Sequence, residues 1–207
     1  CEYEDLPRSG FTPDGSFPAI YGEKGILIAG MAMPLAESGL TAAEGGTAPN
    51  MVPDHCWAEA GGQVYTAKGR SAHGSTPGEG VNAITALMRT LAELPQPPRF
   101  AKCYTELMGD SLCGEHMGID LRDEQSGLLS INAGKLTVED GEVRVYFDIR
   151  YPVTASGETV LENMRRAAAP YGIRVWKRHE MRPVYMDKDG TLIRDLLSAY
   201  RDVTGDM

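Results

Sequence analysis

The chain has no uninterrupted apolar run near the roughly 20 residues that a membrane-spanning helix needs. It also lacks any cluster of basic residues, and its formal charge is −9, from 20 Lys and Arg against 29 Asp and Glu. Both features argue against nucleic acid or an anionic membrane as main partner, because those are bound through concentrated positive charge. The first residues, Cys1-Glu2-Tyr3-Glu4-Asp5, have none of the apolar stretch of a secretory signal, and no Asn-x-Ser/Thr site occurs. Cysteine is scarce. Cys1, Cys56, Cys103 and Cys113 form no Cys-x-x-Cys pair, and Cys103, Cys113 and His116 are too loosely spaced for a structural zinc site. Reduced thiols in a cytoplasmic protein are the expectation. Asp187-Lys188-Asp189-Gly190 begins like a calcium loop, but its glycine comes too early and Ser198 stands where a bidentate Glu belongs. It reads as a turn before a helix.

The 207 residues are 42% hydrophobic and 24% charged, a globular balance that supports one large domain or two small ones. Residues 1–17 read as a loop, and Ile26-Leu27-Ile28-Ala29 as a strand. A Gly/Ala/Thr stretch over 39–50 separates it from Met51-Val52-Pro53. Gln63 to Gly69 alternates as a strand does. A helix is expected over 76–94, with Thr76 as N-cap, Pro77 at its first position and Glu79 closing a capping box. Val81, Ile84, Leu87, Met88, Leu91 and Leu94 would form its buried stripe, and Pro95, Pro97 and Pro98 would stop it. Further helices are expected over 99–108, after a Ser156 cap, and over 191–203. Residues 128–138 and 142–151 read as a hairpin turning at Glu139-Asp140-Gly141, and Ile173 to Val184 as a strand. A strand–loop–helix pattern opens at Gly62 and again at Gly141, 79 residues later. Two related halves of an α+β sandwich would produce such a pattern.

Four segments carry groups capable of chemistry. Asp14 lies between Pro13 and Gly15, where an Asp either forms a turn or ligates a metal. Asn50, in Asn50-Met51-Val52-Pro53, can bond its own backbone or donate to a substrate oxygen. His73, in Ser71-Ala72-His73-Gly74-Ser75-Thr76-Pro77, sits beside glycine just ahead of an expected helix start. A solvated loop histidine and an oxyanion donor both fit that place. Arg150 ends a strand in Phe147-Asp148-Ile149-Arg150-Tyr151-Pro152, where its fork can grip a carboxylate or pair with Asp148.

Taken together, Ser-Ala-His-Gly-Ser-Thr-Pro-x-x-Gly-x-Asn-Ala over 71–83, Asn-Met-Val-Pro over 50–53 and Pro-Asp-Gly-Ser-Phe-Pro-Ala-Ile-Tyr-Gly-Glu-Lys-Gly over 13–25 resemble PepV-type dipeptidases. These are dinuclear zinc metallopeptidases of clan MH, grouped with aminoacylases, carnosinases and desuccinylases. The resemblance runs across nearly the whole chain and implies an α+β, ferredoxin-like lid domain of two related halves. It places the lid at 25–186, with halves at about 25–98 and 128–186. Residues 1–24 would end a first catalytic segment, and 187–207 would lead into a second. It implies that Asp14 is a zinc ligand, that Asn50 and His73 bond the oxyanion, and that Arg150 holds the substrate carboxylate. The expected substrate is a dipeptide or short N-acyl amino acid, hydrolysed with two zinc ions in the complete enzyme. The chain has no His-x-Asp and no Glu-Glu pair. The remaining ligands and the general base are therefore expected on further catalytic segments of the same protein, and this chain alone is expected to be inactive and to hold no zinc stably. Only residues 54–72 lie between Pro53 and His73, where such relatives carry a longer excursion. A non-catalytic dimerisation module and the lid of a desuccinylase or deacylase are the alternatives, and a homodimer stays open.

Overall fold

The computed structural model describes residues 10–12 and 16–206, so the expected metal ligand Asp14 lies outside the described residues. The chain divides into two units, the larger being Lys24–Pro183 and the smaller combining residues 1–23 and 184–207. In the smaller unit, β1 (Gly22–Glu23) pairs antiparallel with β11 (Val184–Tyr185), and α5 (Thr191–Thr204) ends on a left-handed Gly205. Phe17 stacks on Tyr200 of α5 with ring centroids 5.6 Å apart. No helix among the described residues is long and apolar enough to cross a membrane.

The larger unit is α+β. Its seven antiparallel strands are β2 (Gly25–Pro34), β3 (Ala42–Gly45), β4 (His55–Ala60), β5 (Gln63–Lys68), β8 (Ser130–Glu139), β9 (Glu142–Tyr151) and β10 (Arg174–Met181), in the order β10-β2-β9-β8-β3-β4-β5. A short separate pair is made by β6 (Arg122–Asp123) and β7 (Gly127–Leu128). Period-2 alternation builds the long strands. On β9, Val143, Val145, Phe147, Ile149 and Tyr151 are fully buried in one core, while Arg144, Asp148 and Arg150 take the opposite face. The helices α1 (Leu35–Ser38), α2 (Ala83–Ala92), α3 (Arg99–Met108) and α4 (Gly157–Ala168) complete the unit. Helix α2 packs on β4, β5 and β8, and α4 on β2 and β10. One apolar cluster runs through both, from Leu87 and Met88 to Phe147 and Leu161.

The expected helices over 99–108 and after Ser156 form as read, and the Ser156 hydroxyl accepts from the Thr159 N–H at 3.1 Å. The hairpin turns through Asp140 and Gly141, both at positive φ. The 76–94 helix does not form as one piece. Pro77–Glu79 is a single 3-10 turn, and α2 starts only at Ala83. Thr76 caps no backbone group; its hydroxyl meets the Glu79 carboxylate at 3.3 Å. The true cap is Asn82, whose Oδ1 accepts from the Thr85 N–H at 3.1 Å. Between them the chain is extended, with Arg70 and Val81 exchanging both backbone hydrogen bonds at 2.9 Å. Val81 is therefore exposed at 47%, whereas Ile84, Leu87, Met88 and Leu91 are buried as expected. The Gly/Ala/Thr stretch over 39–50, expected as a spacer, contains β3, and β4 follows at His55. Alanine and glycine have low strand propensity, so Ala42–Gly45 gives no local strand signal, and its pairing with β4 and β8 makes it a strand.

Candidate functional site

Two loops converge beside β8. The first, residues 46–53, leaves β3 through Gly46 at φ 69 and carries Asn50. The second, residues 69–76, leaves β5 and carries His73. Met51 and His73 form an isolated antiparallel bridge, the Gly74 N–H donates to the Asn50 carbonyl at 2.7 Å, and the Val52 N–H donates to the Ala72 carbonyl at 2.9 Å. A side chain at Gly74 would lie only 2.9 Å from the Asn50 carbonyl carbon, so glycine lets the loops close.

A buried amide pair fixes the Asn50 loop to the sheet, and the His73 loop is held through its backbone bonds to that loop. Asn132, 2% exposed on β8, donates through Nδ2 to the carbonyls of Pro49 and Met51, each at 2.9 Å. Asn82 donates through Nδ2 to Asn132 Oδ1 at 3.0 Å and to the Ala133 carbonyl at 2.9 Å. The helix cap, the strand and the Asn50 loop thus share one satisfied network. The bulge of β8 at Gly134 belongs to it too. A β-carbon there would run into the Pro49 carbonyl, so only glycine lets the Asn50 loop lie against the strand.

Asn50 and His73 both present exposed side chains. The Ser75 N–H points at His73 Nδ1 from 3.2 Å, and the Ser75 hydroxyl lies 2.7 Å from the same nitrogen. A backbone N–H can only donate, so Nδ1 holds the lone pair and the neutral ring keeps its proton on Nε2. The ring therefore has an N–H available on the side away from Ser75.

Arg150 stands opposite Ser130 in the β8–β9 register, two positions from the Asn132–Asp148 pair. Its guanidinium forks onto Asp148, Nε to Oδ1 at 2.8 Å and Nη2 to Oδ2 at 2.9 Å. Asp148 is fully buried and Arg150 is partly so. This is the ion pair that a surface-arginine reading anticipates. It consumes one edge of the fork and leaves Nη1 without an acceptor among the described residues. The buried Ser130 hydroxyl next to it also has no partner among them. Desolvation acts to raise the Asp123 pKa, but N–H and hydroxyl donors from Ser126 and Thr154 outweigh it and hold the carboxyl at about 2. Asp123 thereby pins the turn that follows Arg150.

Asn50 and His73 are thus brought together, and Arg150 lies along the same stretch of β8 and β9. Asn82, Asn132, Gly134 and Ser75 escaped the sequence reading as structural parts of the site. A buried Asn inside the strand-like run Ile131-Asn132-Ala133 was the available signal for one of them. No group of three or more His, Cys, Asp or Glu among the described residues could hold a metal ion.

Comparison with known proteins gives matches of three kinds. The family model described as Peptidase dimerisation domain matches residues 59–174. A protein of Staphylococcus aureus strain MW2 named "Putative dipeptidase" is 29% identical over 99% of this chain and 52% of its own length. A Staphylococcus epidermidis protein of the same name is 28% identical over the same shares. The chain therefore spans about half the length of these relatives. The crystal structure of aminoacylhistidine dipeptidase from Vibrio alginolyticus aligns at TM-score 0.48 and 15% identity, covering 90% of this chain and 50% of that one.

Proposed function

Since the chain belongs to the Peptidase dimerisation domain family, we propose that it is the lid and substrate-holding part of a larger dipeptidase. The expected substrates are dipeptides or short N-acyl amino acids. The observation that carries this reading is the bridge between the Asn50 and His73 loops, held by Asn132 beside Arg150. Hydrolysis of an amide builds negative charge on the carbonyl oxygen, and oriented N–H donors in a water-poor site stabilise it. The His73 Nε2–H and the Asn50 amide, both exposed here, would be two such donors once substrate and the rest of the enzyme cover them. Arg150 has one free edge for a carboxylate, and the buried Asp148 fixes the plane in which that edge lies. Ser130 offers a hydroxyl beside it.

The resemblance of the motifs implies zinc in the complete enzyme, which would activate water. The described residues supply no set of ligands for it, so the part proposed for this chain is confined to binding, orienting and donating hydrogen bonds. The names of the Staphylococcus relatives support the peptide substrate. The family's description supports a second role, self-association into a homodimer through the Lys24–Pro183 unit.

The carboxylate assignment is tested on the full-length polypeptide with paired substrates. Arg150→Ala should raise KM for a dipeptide with a free C-terminal carboxylate at least tenfold and change KM little for its C-terminal amide. Equal effects on both would remove Arg150 from substrate recognition. Turnover of N-succinyl amino acids in preference to dipeptides would transfer the chain to the deacylase reading.

A further inference from the structure

We propose that Lys24 is a second anion-binding residue beside Arg150, selecting substrates whose C-terminal residue carries an acidic side chain, a role that rests on the reading of Arg150 given above. The face of the sheet turned away from the core is ruled into rows by the strand registers. One row holds Ile26, Arg150 and Ser130, and the next holds Ile28, Asp148 and Asn132. Lys24 comes just before β2 and begins the neighbouring row on the other side of Arg150.

Leu27, Ala29 and Met31 of β2 are buried in the core, so its even-numbered residues share the open face with Arg150. Lys24 continues that alternation, and its ammonium donates to the carbonyl of Leu128, two residues before Ser130. The side chain thus crosses the end of β9 and sets its charge one row from Arg150. Arg150 leans the opposite way, because its fork is bound to Asp148. Two cations and the unpartnered, buried Ser130 hydroxyl therefore share one corner of the open face.

The two cations are compensated differently. Asp148 neutralises Arg150. Lys24 makes no ion pair among the described residues, and its hydrogen bond there goes to a carbonyl. Asp123 is the acid whose field reaches it. Both oxygens of that carboxylate are already taken, Oδ1 by the N–H and hydroxyl of Ser126 and Oδ2 by those of Thr154. Burial pushes the Lys24 ammonium below its ordinary value in spite of Asp123. A partly buried ammonium with spare N–H donors and no carboxylate bonded to it is completed by an incoming anion.

The spacing decides which anion. Rows on one strand lie about 6.5 Å apart, the rise of two extended residues. With Arg150 leaning away, a single carboxylate is too short to reach both cations. The α-carboxylate and the side-chain carboxylate of one residue are separated by two carbons in aspartate and by three in glutamate. A dipeptide ending in glutamate can set its α-carboxylate on the free edge of Arg150 and the Ser130 hydroxyl, and its side-chain carboxylate on Lys24. Ile26, partly exposed opposite Arg150, offers the intervening methylenes an apolar surface. A neutral side chain in that place leaves the ammonium without a charged acceptor.

Steady-state kinetics of the full-length polypeptide on alanyl-glutamate and on its neutral isostere alanyl-glutamine test this. The wild-type KM should be at least tenfold lower for alanyl-glutamate, as for one added charge-assisted hydrogen bond. Lys24→Met should raise the alanyl-glutamate KM at least tenfold and change the alanyl-glutamine KM and both kcat values little. Lys24→Arg keeps the charge and should keep most of the preference. A thermal melt checks that each variant stays folded. Equal wild-type KM values for the two substrates overturn the proposal and leave the dipeptidase reading standing. A preference that Lys24→Met retains, or a rise in KM that is equal on both substrates, overturns the assignment to Lys24. Turnover of no dipeptide at all overturns the dipeptidase reading and this subsite together.

Discussion

The larger unit contains two hairpins followed by a loop and a helix, β4–β5–α2 and β8–β9–α4, and they differ in what holds their candidate site residue. In the second, Arg150 lies on a ten-residue strand whose inner face carries Val143, Val145, Phe147, Ile149 and Tyr151. The strand has neighbours on both sides, and the turn after it is pinned by Asp123. In the first, the hairpin strands are six residues long, and the buried side chains of β4 are Cys56, Ala58 and Ala60. His73 then follows in a loop held by backbone bridges to the Asn50 loop, which Asn132 in turn anchors to β8. One half positions the backbone that bears its side chain by apolar packing of a strand, with Asp148 orienting the side chain itself. The other does so by hydrogen bonds to loop backbone. The first half should therefore yield to loss of a polar group that the second would hardly notice.

The largest stability effect should come from Phe147→Ala, which empties the core beneath Arg150 and should cost about 3–5 kcal/mol in a denaturant melt. Leu87→Ala on α2 should cost about 2–5 kcal/mol. An effect within noise for Leu87 would show that the first half is not joined to the common core. Asn132→Ala should cost about 1–3 kcal/mol, because the Pro49 and Met51 carbonyls lose their buried donor. Amide exchange should then speed up in residues 46–53 and 69–76 and stay unchanged in β9. Exchange rising equally in both halves would erase the contrast drawn between them.

Acid should act on the other half. Asp123 is held at about 2 in the fold against an ordinary carboxyl value of 3.8. A depressed folded pKa contributes stability that is full above the unfolded value and is lost as pH falls through the folded one. The Asp123 contribution should therefore disappear between about pH 4 and pH 2. Asp123→Asn should be less stable than wild type at neutral pH and should lose less on going through that window. Parallel stability curves for the two proteins would show that the carboxylate adds nothing. The smallest effect belongs to Val81→Ala. Exposed at 47% in the connection before α2, it should change stability by no more than about 0.5 kcal/mol.

Much of this was legible in the residues, because long strands and helices declare their periods. Strand β9 alternates over ten residues, and α4 has both a serine cap and an apolar stripe. The start of α2 was misread for a physical reason. Thr76, Pro77 and Glu79 form a good local start signal, yet Gly78 and Gly80 weaken a helix there, and Arg70 offers Val81 a strand-like partner that only the tertiary structure reveals. Strand β3 was missed because Ala42-Ala43-Glu44-Gly45 lacks β-branched residues, and its pairing with β4 and β8 supplies what propensity does not. His73 and Asn50 could be singled out as motif residues. The tie of the Asn50 loop to Asn132 could not, because it spans more than 80 residues of sequence.

The central claim is that His73 is a hydrogen-bond donor to the reacting oxygen and not a metal ligand. Its most direct test is His73→Ala in the full-length polypeptide, with kcat, KM and bound zinc measured on the same preparation. The account predicts a fall in kcat of about 10²–10³, as for loss of one oxyanion donor, with zinc content unchanged. Wild-type kcat, or loss of zinc from the variant, would contradict it.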